Sequence, residues 1–382
     1  MNIPVIVKAK RTVIGKVGGI LKNVAPERLA SLVIEDLLNE TGVRGCDIDE
    51  VILGNAIGPG GNIARVAALS AKLPQEVPAV TIDRQCGSGL EAINIACRFI
   101  QAGAGDIYIA GGVESSSLAP WKVAKPSSLY DMPTFYSRAQ LAPDFIGDPD
   151  MGVAAENVAK QYNISREAQD KFALASHRKA IEAQRARLFT EEVVPVNGRV
   201  EDEGPREKLS LKTLTRMPPL YATDGTVTAG NTCAINDGAA VALVMSERVC
   251  RKLGLTPQMK YVDSVTVGVD PNLLGIGPAY AVRRLLQRTK RAVSDIDLYE
   301  CNEAFASQVI ASVRMLGIPK KRLNIFGGAL AFGHPYGASG AILVARLCTA
   351  LDKTKASACI ATLGIGGGLG IATLFERYET ND

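Results

Sequence analysis

Apolar and polar residues follow two alternating patterns along this chain. The stretch from Thr81 to Arg84 has the character of a β-strand, and after Cys86 the apolar side chains recur at helical spacing. The apolar positions of that second run are Leu90, Ile93, Ala96, Cys97 and Ile100. The pattern therefore predicts a strand, a turn at Cys86 and then a buried helix.

The same series of segments occurs twice. DIDEVILGN, starting at Asp47, is echoed by DIDLYECNE, starting at Asp295, and the helical run around Ser88 is echoed by one around Ser339. A third pair, IYIAGG and ACIATL, follows at nearly the same offset. Similarity in one order at one offset indicates an internal duplication. The alternative is that two strand–helix–strand units resemble each other by chance.

Strands that alternate with helices predict an α/β fold with a parallel sheet covered on both faces. The middle of the chain echoes nothing and contains loop signals such as PSSLYDMP and EDEGPREK, which predict an inserted loop (cap) domain. Within it, helices are predicted from near Met151 and after Ser165, a suitable N-cap. The predicted boundaries are residues 1–119 and 246–255 for the N-terminal half, 120–245 for the insertion and 256–382 for the C-terminal half.

Composition narrows the possible partners. Of the 382 residues, 47% are hydrophobic, enough for a large core, while only 5% are aromatic, which argues against a stacking platform for single-stranded nucleic acid. The net charge of +4 is small for a duplex binder. No apolar run approaches the ~18 residues of a membrane span. We therefore expect a small-molecule substrate rather than nucleic acid or a membrane.

The number and spacing of the cysteines and histidines bear on metal binding and on the cellular compartment. The eight cysteines form no CxxC pair and there are only two histidines, so no metal site is expected. Scattered cysteines in a long chain fit a reducing cytosol. The N-terminal apolar run is too short for a secretory signal and has its charges after it. The prediction is a cytoplasmic protein.

Cys86 is a candidate nucleophile because it lies where the predicted strand turns into the predicted helix. Free backbone N–H groups and the helix dipole at that position favour an anion, so we expect the pKa of the thiol to be lowered. The small residues Gly87, Ser88 and Gly89 allow a sharp turn and close approach of a substrate. A small buried core cysteine is the structural alternative.

A nucleophilic cysteine usually needs a base. His177 is predicted to lie on a solvated helix face beside Arg178 and Lys179, which argues against catalysis. His334 lies in GGALAFGHPYGASG, between glycines and before Pro335, where the duplicated halves would bring it towards Cys86. The GIGGGLG segment does not fit a dinucleotide loop, because its sixth position is leucine. It is better suited to a backbone that approaches a reacting centre.

Taken together, the motifs resemble those of the thiolase family, the acetyl-CoA acetyltransferases and 3-ketoacyl-CoA thiolases. The resemblance covers nearly the whole chain and rests on KRTVIGKVGG, DRQCGSGLEA, GGVESSS, MGVAAENVA, GTVTAGNTCAINDGAA, VGVDP, NEAFA and GHPYGASG. It implies a five-layer α/β/α/β/α fold, a homodimer or homotetramer, and acyl-CoA thioesters as substrates. No further cofactor is implied.

The resemblance also implies catalytic roles. Cys86 would carry the acyl group, and His334 would activate it and later help to hold the thioester oxygen. Asn302 would position a water in a first oxyanion hole, while the backbone N–H groups of Cys86 and Gly366 would form a second. The coenzyme A site would include Cys233, Met151, Ala304 and Phe305.

Three positions depart from the family pattern. Gly364 replaces the second catalytic cysteine of the CIGGG loop, which moves the α-proton of the second acyl-CoA. Cys301 is near in sequence but precedes Asn302, which argues against compensation. Cys233 stands where many members have serine, and Asp150 where many have histidine. An acid near an anionic ligand is mildly unfavourable.

The sequence therefore predicts a thiolase-class acyltransferase that is acylated on Cys86, with an impaired carbon–carbon bond step. Two alternatives stay open. The acyl group can be passed to water or another nucleophile, or the chain can be a non-enzymatic coenzyme A binder. A decarboxylating ketoacyl synthase is disfavoured, because that class needs a second active-site histidine or asparagine opposite the first.

Overall fold

The structure is a computed structural model, and it describes residues 2–379. Most of its strands belong to one mixed sheet path with the order β11-β12-β13-β10-β1-β9-β5-β3-β4. The strands are β1 (Pro4–Thr12), β2 (Gly15–Lys16), β3 (Glu50–Gly54), β4 (Ala79–Ile82), β5 (Ile107–Ser115), β6 (Lys122–Ala124), β7 (Thr134–Tyr136), β8 (Val193–Val194), β9 (Asn236–Ser246), β10 (Met259–Gly268), β11 (Leu298–Cys301), β12 (Ala358–Ile365) and β13 (Leu369–Arg377).

Helices cover both sides of this sheet path. They are α1 (Pro26–Thr41), α2 (Ile63–Ser70), α3 (Ser88–Ala102), α4 (Met151–Gln161), α5 (Arg166–Arg185), α6 (Leu211–Leu214), α7 (Glu247–Lys252), α8 (Gly277–Thr289), α9 (Ala306–Leu316), α10 (Ala329–Phe332) and α11 (Tyr336–Lys353). In the part of the chain that the structure describes, no helix is long and apolar enough to cross a membrane.

The strand pairing confirms the predicted duplication. In the first half β3 pairs with β5 in parallel, and β9 is antiparallel to both β5 and β1. In the second half β11 pairs with β12 in parallel, and β13 is antiparallel to both β12 and β10. Antiparallel pairing of β1 with β10 joins the halves. The sheet is therefore mixed, not purely parallel.

The five predicted layers are present. Helix α3 contacts α11, and both contact strands of the two halves, so they form the inner layer. Helix α1 covers β9, β1 and β5 from outside, and α8 covers β13, β10 and β12. A Cβ atom at Gly89 would clash with the carbonyl oxygen of Gly337, so the N-terminal ends of α3 and α11 meet only because glycine is present. This close approach brings the start of α3, next to Cys86, close to the start of α11, next to His334.

The insertion ends earlier than predicted. Residues 236–245 of the predicted insertion belong to β9, an entirely buried strand between β1 and β5. The strand was missed because its apolar run follows a long polar region and lacks an obvious sequence echo, although β13 is its structural counterpart. The two helices predicted within the insertion are confirmed, and the Ser165 side chain caps α5 by accepting from the Ala168 N–H.

Candidate active site

The predicted turn at Cys86 is held by side chains before and after it. Gln85 has a positive φ of 47°, which is uncommon for a residue with a side chain. Its N–H donates to Asp83 Oδ1 over 2.6 Å, and its carbonyl accepts from the Ser88 hydroxyl, also over 2.6 Å. Helix α3 begins at Ser88, so half-buried Cys86 lies at its N-terminal end as predicted.

The predicted lowering of the Cys86 pKa is wrong. Burial raises the pKa of the thiol to about 12, and the nearby carboxylates of Glu114 and Asp83 add to this effect. The backbone N–H groups of Gly366 and of Cys86 itself act on the sulfur in the opposite direction. Desolvation outweighs these donors because a thiolate loses its hydration when it is buried. The Cys86 thiol is therefore neutral at physiological pH.

Iodoacetamide is expected to alkylate Cys86 more slowly than the exposed Cys46 at pH 7. Because only the thiolate reacts, the Cys86 rate should rise about tenfold per pH unit up to pH 9, without a plateau. Peptide mapping after timed alkylation measures both rates in one sample. A Cys86 rate that levels off near neutral pH would mean that the helix N-terminus does dominate its titration.

His334 is fixed from three directions. Gly333 before it has a φ of 102°, and a Cβ there would clash with the Asn236 side chain. Asn236 Oδ1 accepts the His334 N–H over 3.1 Å. The ring lies with Nδ1 2.6 Å from Ser339 Oγ and with Nε2 3.3 Å from Asn302 Nδ2. His334 and Asn302 are thus brought together, as their predicted roles require.

These contacts define how the His334 ring can act. An amide nitrogen donates, so Nε2 is the acceptor facing Asn302 and Nδ1 carries the proton that is donated to Ser339. Burial lowers the pKa of His334 to about 4, so the ring is neutral at physiological pH. A neutral imidazole with an unprotonated Nε2 is the form that can accept a proton from a thiol, and at 3.3 Å the contact with Asn302 leaves that nitrogen available to do so.

The predicted coenzyme A residues form one cluster beside this site. Met151 and Ala304 pack with Phe305, and the Cys233 N–H donates to the Ala304 carbonyl over 3.0 Å. Burial raises the pKa of the Cys233 thiol to about 12, and proximity to Cys86 contributes. The segment around Cys233 also pairs with the His334 loop, because the His334 N–H donates to the Ala234 carbonyl.

A cavity of about 930 Å³ opens onto Cys86. Gly366 and Met151 line it together with Tyr336, whose ring packs edge-on against His334 at 5.0 Å between centroids. Cys233 instead lines a second cavity of about 330 Å³ with Arg206. Among the predicted site residues, Cys86, Gly366 and Met151 therefore line one cavity and Cys233 lines the other, with the buried His334 loop next to both.

The structure locates two residues that bear on the departures from the family pattern, Asp150 and Cys301. Asp150 is exposed and lies 3.7 Å from Arg138 Nε, but Arg138 also pairs with Asp148 at 2.8 Å, so the negative charge of Asp150 is only partly offset. Cys301 is buried in the core of the second half, with its sulfur 3.9 Å from Gln308 Nε2. That position confirms the expectation that it does not replace the missing cysteine.

His177 is not on a solvated face as predicted. It is buried, its Nδ1 accepts the Arg206 N–H over 3.2 Å, and burial lowers its pKa to about 4. The error arose because its charged neighbours in sequence lie on a different side of helix α5. The conclusion that His177 is structural is unaffected.

Glu114 was missed by the sequence reasoning, although it lies in the quoted GGVESSS motif. Its carboxylate accepts from the N–H groups of Ala56 and Gly337, joining a loop of the first half to the start of α11. Burial raises its pKa to about 7. In the sequence, the one sign that Glu114 is not an ordinary surface residue is its position in a glycine-containing predicted strand.

The structure combines an α/β fold with a helix-terminal thiol, a neutral buried histidine and backbone N–H groups that face the sulfur. Family models for the N-terminal and C-terminal thiolase domains match residues 4–248 and 255–377. The chain belongs to the thiolase family, whose members are acyltransferases.

Similar proteins agree with this assignment. "Putative acetyl-CoA C-acetyltransferase VraB" of Staphylococcus epidermidis is 49% identical over the full length of both chains. The Bacillus anthracis acetyl-CoA acetyltransferase structure superposes with a TM-score of 0.93 at 36% identity, covering 99% of each chain. Human mitochondrial 3-ketoacyl-CoA thiolase gives 0.94 at 34% identity, again over 99% of each chain.

Proposed function

We propose that this enzyme is an acetyl-CoA C-acetyltransferase-like thiolase that carries the acyl group on Cys86. The observation that supports this most directly is the Cys86 sulfur itself, which meets two backbone N–H groups and a cavity of about 930 Å³. The proposed substrate is a short acyl-CoA thioester, with no cofactor beyond it.

A homodimer or homotetramer is proposed as well, and a mass from light scattering above the 40.4 kDa of one chain would support it.

Acylation begins with the neutral pair of Cys86 and His334. His334 Nε2 accepts the thiol proton as the sulfur attacks the thioester carbonyl, so no free thiolate has to form beforehand. The negative charge that develops on the carbonyl oxygen is held by the N–H groups of Cys86 and Gly366. Collapse of this intermediate releases coenzyme A as its thiol, which takes the proton back from His334, and leaves acyl-Cys86.

The carbon–carbon step is proposed to be weak. It needs a group that removes the α-proton of a second acyl-CoA, and Gly364 has no side chain at the position of the family's second cysteine. Positioned acid–base groups contribute about 10²–10⁴-fold in rate, or roughly 3–5.5 kcal/mol of barrier. This feature favours a second candidate function, in which acyl-Cys86 is passed to water or another nucleophile.

Incubation with acetyl-CoA tests the proposal. Mass spectrometry of the Cys86 peptide is expected to show one acetyl group, and a parallel assay is expected to show little condensation of two acetyl-CoA molecules. Release of free acetate would identify the hydrolytic alternative. A Cys86 peptide that stays unmodified while acetyl-CoA binds would support the non-enzymatic coenzyme A binder instead.

A further inference from the structure

A small internal cavity lies behind the His334 ring. Its volume is about 30 Å³, and it is lined by both residues that contact the ring nitrogens, Asn302 and Ser339. Glu300, Arg346 and glycines of the 327–333 loop complete the polar part of its wall. A cavity needs about 10–15 Å³ and two or more polar partners to hold a water molecule. This one satisfies both conditions.

Glu300 is the unusual residue in this wall. It ends up only 3% exposed on strand β11, two positions before Asn302. Among residues 2–379, burial and charge interactions rather than a hydrogen bond act on its carboxyl group, although buried carboxyl groups are normally hydrogen-bonded. A buried and unpartnered polar group that lines a polar cavity indicates that a ligand there is its partner.

Burial keeps the Glu300 carboxyl group protonated at neutral pH. Burial raises its pKa to about 8, and Glu303 and Glu192 act in the same direction. Arg346 and Lys179 oppose them but do not outweigh desolvation. Arg346 is itself engaged with Glu192 at 3.2 Å. A neutral carboxyl group has a carbonyl oxygen that accepts and a hydroxyl that donates.

The Ser339 hydroxyl group needs a hydrogen-bond acceptor for its proton. Its oxygen accepts the Nδ1–H of His334, so its own hydroxyl proton needs a separate acceptor. Among residues 2–379 no other hydrogen-bond partner of this hydroxyl is found. Ser339 also lines the cavity, which places the missing acceptor there.

We propose that a water molecule in this cavity bridges the Ser339 hydroxyl and the Glu300 carboxyl group, and that Glu300 is thereby a positioning residue for His334. The water accepts from Ser339 and donates to the Glu300 carbonyl oxygen. The Ser339 oxygen can then only accept from His334 Nδ1, so the ring proton stays on Nδ1. Nε2 remains unprotonated and can act as the base in the acylation proposed above, on which the kinetic part of this inference rests.

The two histidines make this proposal directly measurable by nitrogen NMR of protein labelled with ¹⁵N-histidine. His177 Nδ1 accepts a backbone N–H, so its proton is on Nε2, whereas the proposal puts the His334 proton on Nδ1. The wild-type protein should therefore show two neutral rings of opposite tautomer. His177 serves as the internal reference in every variant.

Glu300→Gln and Glu300→Leu form the matched pair. Glutamine keeps an acceptor and a donor at the cavity, so the His334 tautomer should be unchanged. Leucine removes both, so the Ser339 hydroxyl should turn to Nδ1 and the His334 proton should move towards Nε2. Ser339→Ala tests the same link from the other end, since it removes the acceptor of the Nδ1 proton.

The kinetic readout follows the tautomer. The acylation rate constant of Cys86 should fall about tenfold in Glu300→Leu, with the KM for acetyl-CoA unchanged, and Glu300→Gln should retain the wild-type rate. A His334 ring that keeps its proton on Nδ1 in folded Glu300→Leu and Ser339→Ala would overturn the inference. The NMR result stands independently of activity, so a wild-type enzyme that does not acylate Cys86 would contradict the proposed function alone.

Discussion

Cys86→Ser is expected to reduce the rate of acylation by acetyl-CoA by about 10⁴-fold or more, because removing a covalent nucleophile eliminates the main route of the reaction. That factor corresponds to about 5.5 kcal/mol of barrier. Serine keeps the size and polarity of the site but has a much less acidic hydroxyl. His334 is a weak base for such a group, since burial lowers its pKa to about 4.

The measurement is the rate of appearance of the acetylated peptide from residues 84–98. The matched control is Cys46→Ser, which removes an exposed thiol outside the site and should leave the rate unchanged. Binding of coenzyme A should survive in Cys86→Ser, because the cavity walls are intact. If Cys86→Ser still releases acetate at the wild-type rate, the enzyme hydrolyses acetyl-CoA without an acyl-cysteine.

Much of the fold follows from local patterns. Helical spacing of apolar residues after Cys86 and the repeated segments around Ser88 and Ser339 were sufficient to predict α3, α11 and the duplication. The position of β9 was not predictable in this way. Its ladder partners, β1 and β5, lie far away in sequence, so its burial is a tertiary property.

The residue types of the site were also predictable, but their electrostatics were not. A helix N-terminus beside Cys86 suggested a lowered pKa, because the helix is visible in the sequence and burial is not. Desolvation and the carboxylate of Glu114 reverse the direction. Glu114 and Glu300 were missed for a related reason, since a carboxyl group on a strand is usually at the surface unless tertiary contacts cover it.

Under the proposed function, position 364 limits the reaction after acyl-Cys86 has formed. Gly364 lies within β12 opposite Gly370, and it is two residues before Gly366, whose N–H acts on the Cys86 sulfur. Gly367 and Gly368 have positive φ values of 82° and 75°, but Gly364 is part of the regular strand. Extended backbone accepts any side chain, so a cysteine at this position does not require a left-handed conformation.

Gly364→Cys is therefore expected to increase condensation of acetyl-CoA, or thiolysis of acetoacetyl-CoA, at least tenfold. Restoring a positioned acid–base group contributes about 10²–10⁴-fold when geometry is ideal. Acylation of Cys86 should change little, because it uses His334 and the N–H groups of Cys86 and Gly366. The two rates are measured side by side, with acetyl-Cys86 formation as the internal standard.

Gly364→Ser is the matched control, since it adds a side chain of similar size without a thiol and should give no comparable gain. Cys301→Ser should have no effect on either rate, because Cys301 packs in the core of the second half. A Gly364→Cys enzyme that acylates normally but shows no gain would mean that position 364 does not limit the carbon–carbon step. Fast condensation by the wild type would mean that another group takes the α-proton. Cys233→Ser would then test Cys233, whose thiol pKa is raised in part by Cys86.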